Sequence, residues 1–291
     1  MCEESKLAEW AKQTISRRQF GALSGTAALA ACAPGEGIAQ SAAPGLRERS
    51  VTFTTADGTM DGFFVHPANG KHPAVILWPD IAGLREAKRT IARKLAAQGH
   101  AVLVVNPYYR DNVGEGFNDF AAFIAGGGFG KVSPWRGKLN AEAIMRDATA
   151  IVGWLDTQKE VDTKRGIGTQ GYCMGGPFTI WSAAAVPSRI KAAASFHGGG
   201  LVRAEAPMSP HKLLPQVDAA LLIAVAKDDD AKAPADKTTF AEAAKAAGVN
   251  AIVTVYPGDH GWMVSDSPAY NAAAAAQGEA DLLALYKSAL G

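Results

Sequence analysis

Cys173 stands in Gly171-Tyr172-Cys173-Met174-Gly175-Gly176, with a glycine two positions to either side. That is the spacing of a nucleophile elbow in which a thiol replaces the usual hydroxyl. The chemistry requires it. The nucleophile rides a tight, strained turn, small neighbours let a strand and a helix pass, and the next backbone N–H faces the oxyanion formed on attack. The start of a helix also favours a thiolate. The bland alternative is a buried, inert thiol in a glycine-rich turn. Two further groups weigh against it. Lys227-Asp228-Asp229-Asp230 follows one apolar run, and Pro257-Gly258-Asp259-His260-Gly261-Trp262 follows the last one. Thiol, carboxylate and imidazole therefore come in the chain order nucleophile, acid, base of an α/β-hydrolase. Adjacent carboxylates usually form a solvated loop, yet a strand-end position makes at least one of these three a candidate to orient His260. His197, in Phe196-His197-Gly198-Gly199-Gly200, also ends a strand and is a candidate to line the pocket. His100 follows the helix-ending Gly99 and reads as structural.

These groups need strands to hold them. Residues 51–55 and 60–66 read as a β pair about the Asp57-Gly58 turn. Residues 74–78 and 101–105 are unbroken apolar runs, as expected of strands buried on both faces. Helical spacing covers 85–98 and 139–159, and the glycine-rich stretch 111–137 between them reads as a long loop or lid. A strand over 165–169 enters the elbow, a helix follows over 177–186, and 190–196, 219–226 and 250–256 are further strands. Helices at 237–247 and 270–290 follow the last two. Strands alternating with helices predict an α/β fold, a mostly parallel sheet covered on both faces. Gly166-Ile167-Gly168-Thr169-Gln170-Gly171 satisfies a dinucleotide-binding pattern in form only. The residues before it are polar, the glycines overlap the strand, and Arg189 and Lys191 stand where an acid is needed.

Composition narrows the partners. The chain has 291 residues, with 29 Lys and Arg against 28 Asp and Glu, a net charge of +1. A neutral body argues against nucleic acid, whose binding rests on a basic face. With 48% hydrophobic and 20% charged residues the composition is globular, and no apolar run reaches the roughly 18–20 residues of a membrane span. Cys2, Cys32 and Cys173 cannot build a disulfide framework, and the six histidines show no zinc-ligand spacing, so neither a metal nor an organic cofactor is expected. Ser16-Arg17-Arg18-Gln19-Phe20 precedes a charge-free stretch over 21–35. That order is the twin-arginine export pattern, with the export machinery as partner and the periplasm as destination. Leu29-Ala30-Ala31-Cys32 resembles a lipoprotein processing box, which would make Cys32 a lipid anchor; ordinary cleavage near residues 39–41 is the alternative. Residues 1–45 are thus expected to be an export signal and flexible segment, and 46–291 the domain.

Over residues 50–290 the sequence resembles the dienelactone hydrolase (carboxymethylenebutenolidase) family. The resemblance is carried by Trp78-Pro79-Asp80-Ile81-Ala82-Gly83-Leu84, Asn106-Pro107-Tyr108-Tyr109-Arg110, the cysteine elbow, Asp230-Ala231-Lys232-Ala233-Pro234 and Tyr256-Pro257-Gly258-Asp259-His260-Gly261. It implies Cys173 as nucleophile and His260 as base. It favours Asp230 as the acid, since the family's Asp stands four residues before a Pro, with Asp229 in reserve. It implies an oxyanion hole from the N–H groups of Ile81 and Met174. Asp80 falls where the family carries a Glu that bonds the resting thiol. Arg110 matches an Arg that grips the substrate carboxylate, and its place just past the strand at 101–105 sets it beside the expected crevice. Val264 stands where dienelactone-specific members carry a second Arg. The implied activity is opening of an enol-lactone, or cleavage of a small carboxylic ester, through a thioester. The competing readings are a broad-specificity esterase of the same fold and a non-catalytic envelope binding protein, which has no need of an ordered triad.

Overall fold

Strands β3 (Ala74–Trp78) and β4 (Ala101–Val105) are buried at every position, as two unbroken apolar runs require. Each buried Val, Ile or Leu contributes roughly 1.5–3 kcal/mol. The computed structural model describes residues 45–291, so the export pattern, Cys2, Cys32 and the 39–41 site lie outside the described residues. Within them, β3 and β4 pair in parallel inside an eight-stranded sheet of order β1-β2-β4-β3-β5-β6-β7-β8. β1 (Leu46–Thr55) and β2 (Gly58–Pro67) form an antiparallel hairpin, and β2 joins β4 antiparallel. β5 (Ile167–Tyr172), β6 (Ile190–Phe196), β7 (Ala220–Ala226) and β8 (Ala251–Tyr256) extend the sheet in parallel. β8 is the outer strand on that side and leaves Ile252 and Val255 exposed.

The pleat sends alternate side chains to two cores. Val75 and Val102 join α1 (Glu86–Ala97) and α8 (Ala272–Ala289) on one face. Ile76 and Leu103 join α4 (Ala141–Asp156), α5 (Gly176–Ala185) and α7 (Pro234–Ala246) on the other. The result is the α/β-hydrolase arrangement, a mostly parallel sheet with helices on both faces.

Three local expectations change. The stretch 111–137 holds two short helices, α2 (Phe120–Ala125) and α3 (Gly128–Arg136). Asp119 caps α2 by accepting from the Ala122 N–H at 2.7 Å, and Phe117, Phe120 and Phe129 pack around Phe123. Aromatic burial, not backbone propensity, makes these helices. β5 begins two residues later than expected and runs directly into the elbow, so Gly168 and Gly171 lie inside the strand. Finally, the acidic run is no loop: α6 (Lys227–Lys232) starts at the residue after β7.

Candidate active site

Cys173 leaves β5 at φ +52°, left-handed backbone that costs a non-glycine residue of order 1–3 kcal/mol. Close packing enforces it. A Cβ at Gly171 would collide with the Gly175 carbonyl, and one at Gly175 would lie 2.6 Å from the carbonyl oxygens of Trp78 and Pro79. Both elbow glycines are therefore obligatory, and the turn leans on the end of β3. A single 3₁₀ turn, Cys173–Gly175, leads into α5, with the Met174 N–H at its start. Cys173 is buried.

The loop after β3 supplies Ile81. Asp80 Oδ1 accepts from the Ala82 N–H at 3.0 Å, and the Asp80 carbonyl from the Gly83 N–H at 2.9 Å. Tyr108 donates its hydroxyl to the Ile81 carbonyl at 2.8 Å and touches Met174 Sδ at 3.3 Å. One phenol thus braces both residues whose N–H groups were expected to receive the oxyanion.

His260 follows β8, and α6 divides its three carboxylates around it. Consecutive residues on a helix point about 100° apart, so the three cannot do the same work. Asp228 Oδ1 accepts from the His260 backbone N–H at 2.8 Å. Asp229 Oδ2 lies 2.6 Å from His260 Nδ1. Asp230 turns away to Lys237 Nζ at 2.5 Å. The acid expected at Asp230 is therefore corrected to the reserve, Asp229. Spacing to Pro234 measures position along the chain, whereas the helical turn decides which carboxylate meets the ring.

Arg110 requires a second correction. Its guanidinium forks onto Asp147 at 2.8 and 3.0 Å and reaches Asp57 at 2.6 Å. It ties the β1–β2 turn to α4 and does not line the pocket at Cys173. Asp147 is buried, and Tyr109 also donates to it at 2.7 Å. A guanidinium already chelated by two carboxylates has no fork left for a substrate.

Asp80 does line that pocket, but not as an open carboxylate. Arg85 grips it at 2.7 and 3.0 Å, and Lys88 Nζ lies 2.7 Å from Oδ2 in an ionic contact poorly directed for a hydrogen bond. Burial pushes the Asp80 carboxyl up, yet the two cations outweigh it and hold it well below the carboxylate range. Arg85 also chelates Asp266 at 2.7 and 2.8 Å, and Asp266 accepts from the Phe120 N–H at 3.0 Å. Lys88 sits 4.2 Å over the Tyr172 ring, and burial pulls its ammonium down to about 8 against the opposing pull of Asp80. Reading the sequence passed over Arg85, Lys88 and Asp266. Lys88 did leave a signal, because it shares the core face of α1 with Ala92 and Leu95, four and seven residues on.

Cys173, His260, Asp80, Ile81 and Val264 line one small pocket of about 20 Å³, with Phe120, His197, Gly261 and Ser267. His197 is fully buried at φ +42° and its ring lies 5.1 Å from that of His260. Met174 lines a second cavity of about 450 Å³, walled by Phe178, Trp181 and Met208 with Arg136, Arg203 and Glu142. The arrangement places a thiol and a carboxylate-oriented imidazole in one small pocket, and Met174, the residue after the thiol, at the wall of a ligand-sized cavity.

The model of the dienelactone hydrolase family matches residues 60–290. An Escherichia coli K12 protein that carries a provisional carboxymethylenebutenolidase name is 26% identical over 223 residues, covering 76% of this chain and 78% of its own. The carboxymethylenebutenolidase of Rhodococcus opacus is 25% identical over 172 residues, 58% of this chain and 62% of its own. Among solved structures, a Klebsiella pneumoniae protein provisionally described as a dienelactone hydrolase superposes with a TM-score of 0.70 at 23% identity, covering 83% of this chain and 98% of that one. A dienelactone hydrolase-like promiscuous phosphotriesterase from metagenomic libraries gives 0.66 at 21% identity, over 85% and 100%. At such identities the structural likeness shows the fold.

Proposed function

The chain belongs to the dienelactone hydrolase family and is a carboxylic ester or lactone hydrolase; from that premise we propose that Cys173 attacks the carbonyl and carries the acyl group as a thioester. The observation that carries this reading is the pairing of His260 Nδ1 with Asp229 at 2.6 Å beside a thiol held on a left-handed turn in the same pocket. Asp229 fixes the imidazole so that Nε2 is the basic nitrogen. His260 Nε2 takes the Cys173 proton and the thiolate adds to the carbonyl carbon. The N–H groups of Ile81 and Met174 hold the oxyanion, each such donor being worth about 2.7–4 kcal/mol. The carbon–oxygen bond breaks, and His260 returns its proton to the leaving alkoxide. An enol-lactone expels an enolate, which suits a thiolate that is itself easily expelled. Water then attacks the thioester, gives a proton to His260, and releases Cys173 and the acid.

The substrate is a small carboxylic ester or enol-lactone seated in the cavity beyond Met174. Val264 at the pocket wall and the engaged Arg110 favour an ester without the doubly gripped carboxylate of dienelactone. Cys173→Ala should abolish turnover of aryl esters and enol-lactones with the fold intact by circular dichroism. Asp229→Asn should lower kcat by roughly 10³- to 10⁴-fold, and Asp230→Asn by less than about 3-fold. Near-wild-type turnover of Cys173→Ala would sink the thioester route, and a larger loss from Asp230→Asn would restore the original acid. Export by the twin-arginine route belongs to the same proposal, on the strength of Arg17-Arg18 before a charge-free stretch. A double Arg17→Lys, Arg18→Lys variant should hold active precursor in the cytoplasm, and Cys32→Ala should remove any membrane-bound pool.

A further inference from the structure

Among the described residues only two that are not glycine adopt left-handed backbone, Cys173 and His197, and both line the 20 Å³ pocket. Strain of this kind persists where the surroundings over-determine it and marks positions whose aim matters. Gly198 and Gly199 follow directly, yet the strained position itself carries an imidazole. That imidazole is fully buried, and neither Nδ1 nor Nε2 has a hydrogen-bond partner in the protein. Its backbone N–H donates to the Ala224 carbonyl at 2.8 Å, whereas the two ring nitrogens go unmet. A buried polar group left so carries an uncompensated desolvation cost and calls for an occupant of the pocket.

The pocket fits one. A water needs roughly 10–15 Å³ and two to four polar partners, and the walls offer few. Phe120, Ile81 and Val264 are apolar, the Asp80 carboxylate is consumed by Arg85 and Lys88, and the Ser267 hydroxyl already accepts from the Ala269 N–H at 3.2 Å. His260 can take one proton of a water poised over an acyl group on Cys173, but the second O–H then needs an acceptor. A histidine accepts only when neutral. Burial holds His197 well below its ordinary value, and the nearby charges of His260 and Lys88 push the same way, with Asp80 opposing.

We infer that His197 holds the water that hydrolyses the thioester, accepting one of its protons in a hydrogen bond while the other passes to His260. The inference rests on the thioester reading of Cys173. In the step, the water oxygen bonds to the acyl carbon, its proton moves to His260 Nε2, and the carbon–sulfur bond breaks to leave the Cys173 thiolate. His260 then returns the proton to sulfur, and the acid departs. His197 changes no bond and keeps its own proton. It is silent during acylation, in which no water reacts.

Stopped-flow and quench experiments with p-nitrophenyl acetate separate the two half-reactions. In His197→Phe, which keeps a ring and removes both nitrogens, acylation should stay within about 3-fold of wild type. Decay of the acetyl–Cys173 adduct, read by intact mass, should slow by roughly 10- to 100-fold, with kcat and KM falling together. Hydroxylamine, which brings its own nucleophile, should restore turnover of the trapped adduct. His197→Asn tolerates left-handed backbone and keeps an acceptor on a shorter reach. Its adduct should decay at an intermediate rate, which keeps the test available if the phenyl variant does not fold. Equal slowing of both half-reactions, or adduct decay at the wild-type rate, would overturn the role of His197 while leaving the nucleophile intact. Failure of wild type and variants alike to form any adduct at Cys173 would overturn the thioester itself, and this inference with it.

Discussion

β3 and β4 are neighbours in the sheet, and each is followed by a loop that presents an arginine to two aspartates, Arg85 fully buried and Arg110 half-buried. Arg110, after β4, binds Asp57 from the hairpin and Asp147 from α4. Arg85, after β3, binds Asp80 from its own loop and Asp266 from the loop beyond His260. The chemistry is the same and the consequence differs. The first knot joins scaffold to scaffold. The second joins three segments that wall the pocket, because Asp266 also caps the start of α2 at Phe120. A cationic side chain past a strand end is therefore no sign of a ligand contact by itself. The source of its carboxylate partners decides whether it serves the site or the frame.

The contrast can be broken by substitution. Arg85→Met leaves Asp80 with Lys88 alone and Asp266 without its cation, and should cost about 3–5 kcal/mol of stability, the usual result of halving a buried pair. kcat/KM should also fall by at least roughly 10-fold at temperatures where the protein stays folded, because the oxyanion loop and the His260 loop lose their common anchor. Urea unfolding together with aryl-ester kinetics checks both. Wild-type kinetics in a destabilised but folded Arg85→Met would make this knot mere frame as well.

Arg110→Met should cost less, about 1–3 kcal/mol. Asp57 retains Arg146, and burial already pushes the Asp147 carboxyl up, so it can take a proton rather than stay charged alone. KM for neutral and carboxylate-bearing esters should change equally and by less than about 2-fold. A selective rise in KM for the charged ester would return Arg110 to the substrate.

The smallest effect separates the knots by pH. Lys88 belongs only to the pocket-side knot, and its ammonium is pulled down to about 8. Between that value and 10.5 the unfolded chain binds the proton that the folded chain has lost, so this group's contribution to stability rises with pH there. Below about 8 its cost is fully present. The slope cannot exceed about 1.4 kcal/mol per pH unit for one proton. Urea midpoints at pH 8, 9 and 10 should climb less in Lys88→Met than in wild type, and parallel curves would mean that Lys88 keeps its proton throughout.

The elbow was legible in the sequence because its constraint is local: two glycines and a cysteine within five residues meet in the same turn. The sheet was legible because uninterrupted apolar runs such as Ala74–Trp78 have few alternatives. The carboxylate that meets the His260 ring was legible only to within one residue. A loop leaves three adjacent aspartates interchangeable, whereas α6 turns each to a different partner, and the helix start at Lys227 carries no capping side chain to announce it. Arg110 was misjudged because its partners come from 53 and 37 residues away, a distance at which one sequence carries no pairing signal. Arg85 was missed for the same reason, its second carboxylate lying 181 residues on.

Cys173 and His260 hang from strands of unequal security. β5 is paired along both sides, whereas β8 pairs with β7 alone among the described residues. Local opening favours segments with few backbone bonds, so fraying is expected to reach His260 before it reaches Cys173. Warmed slowly, such an enzyme should stop turning over while its spectroscopic signature is still that of the native protein. A strand that opens before the rest would make working temperature a property of β8, and stitching β8 in place should extend it without any change to the chemistry.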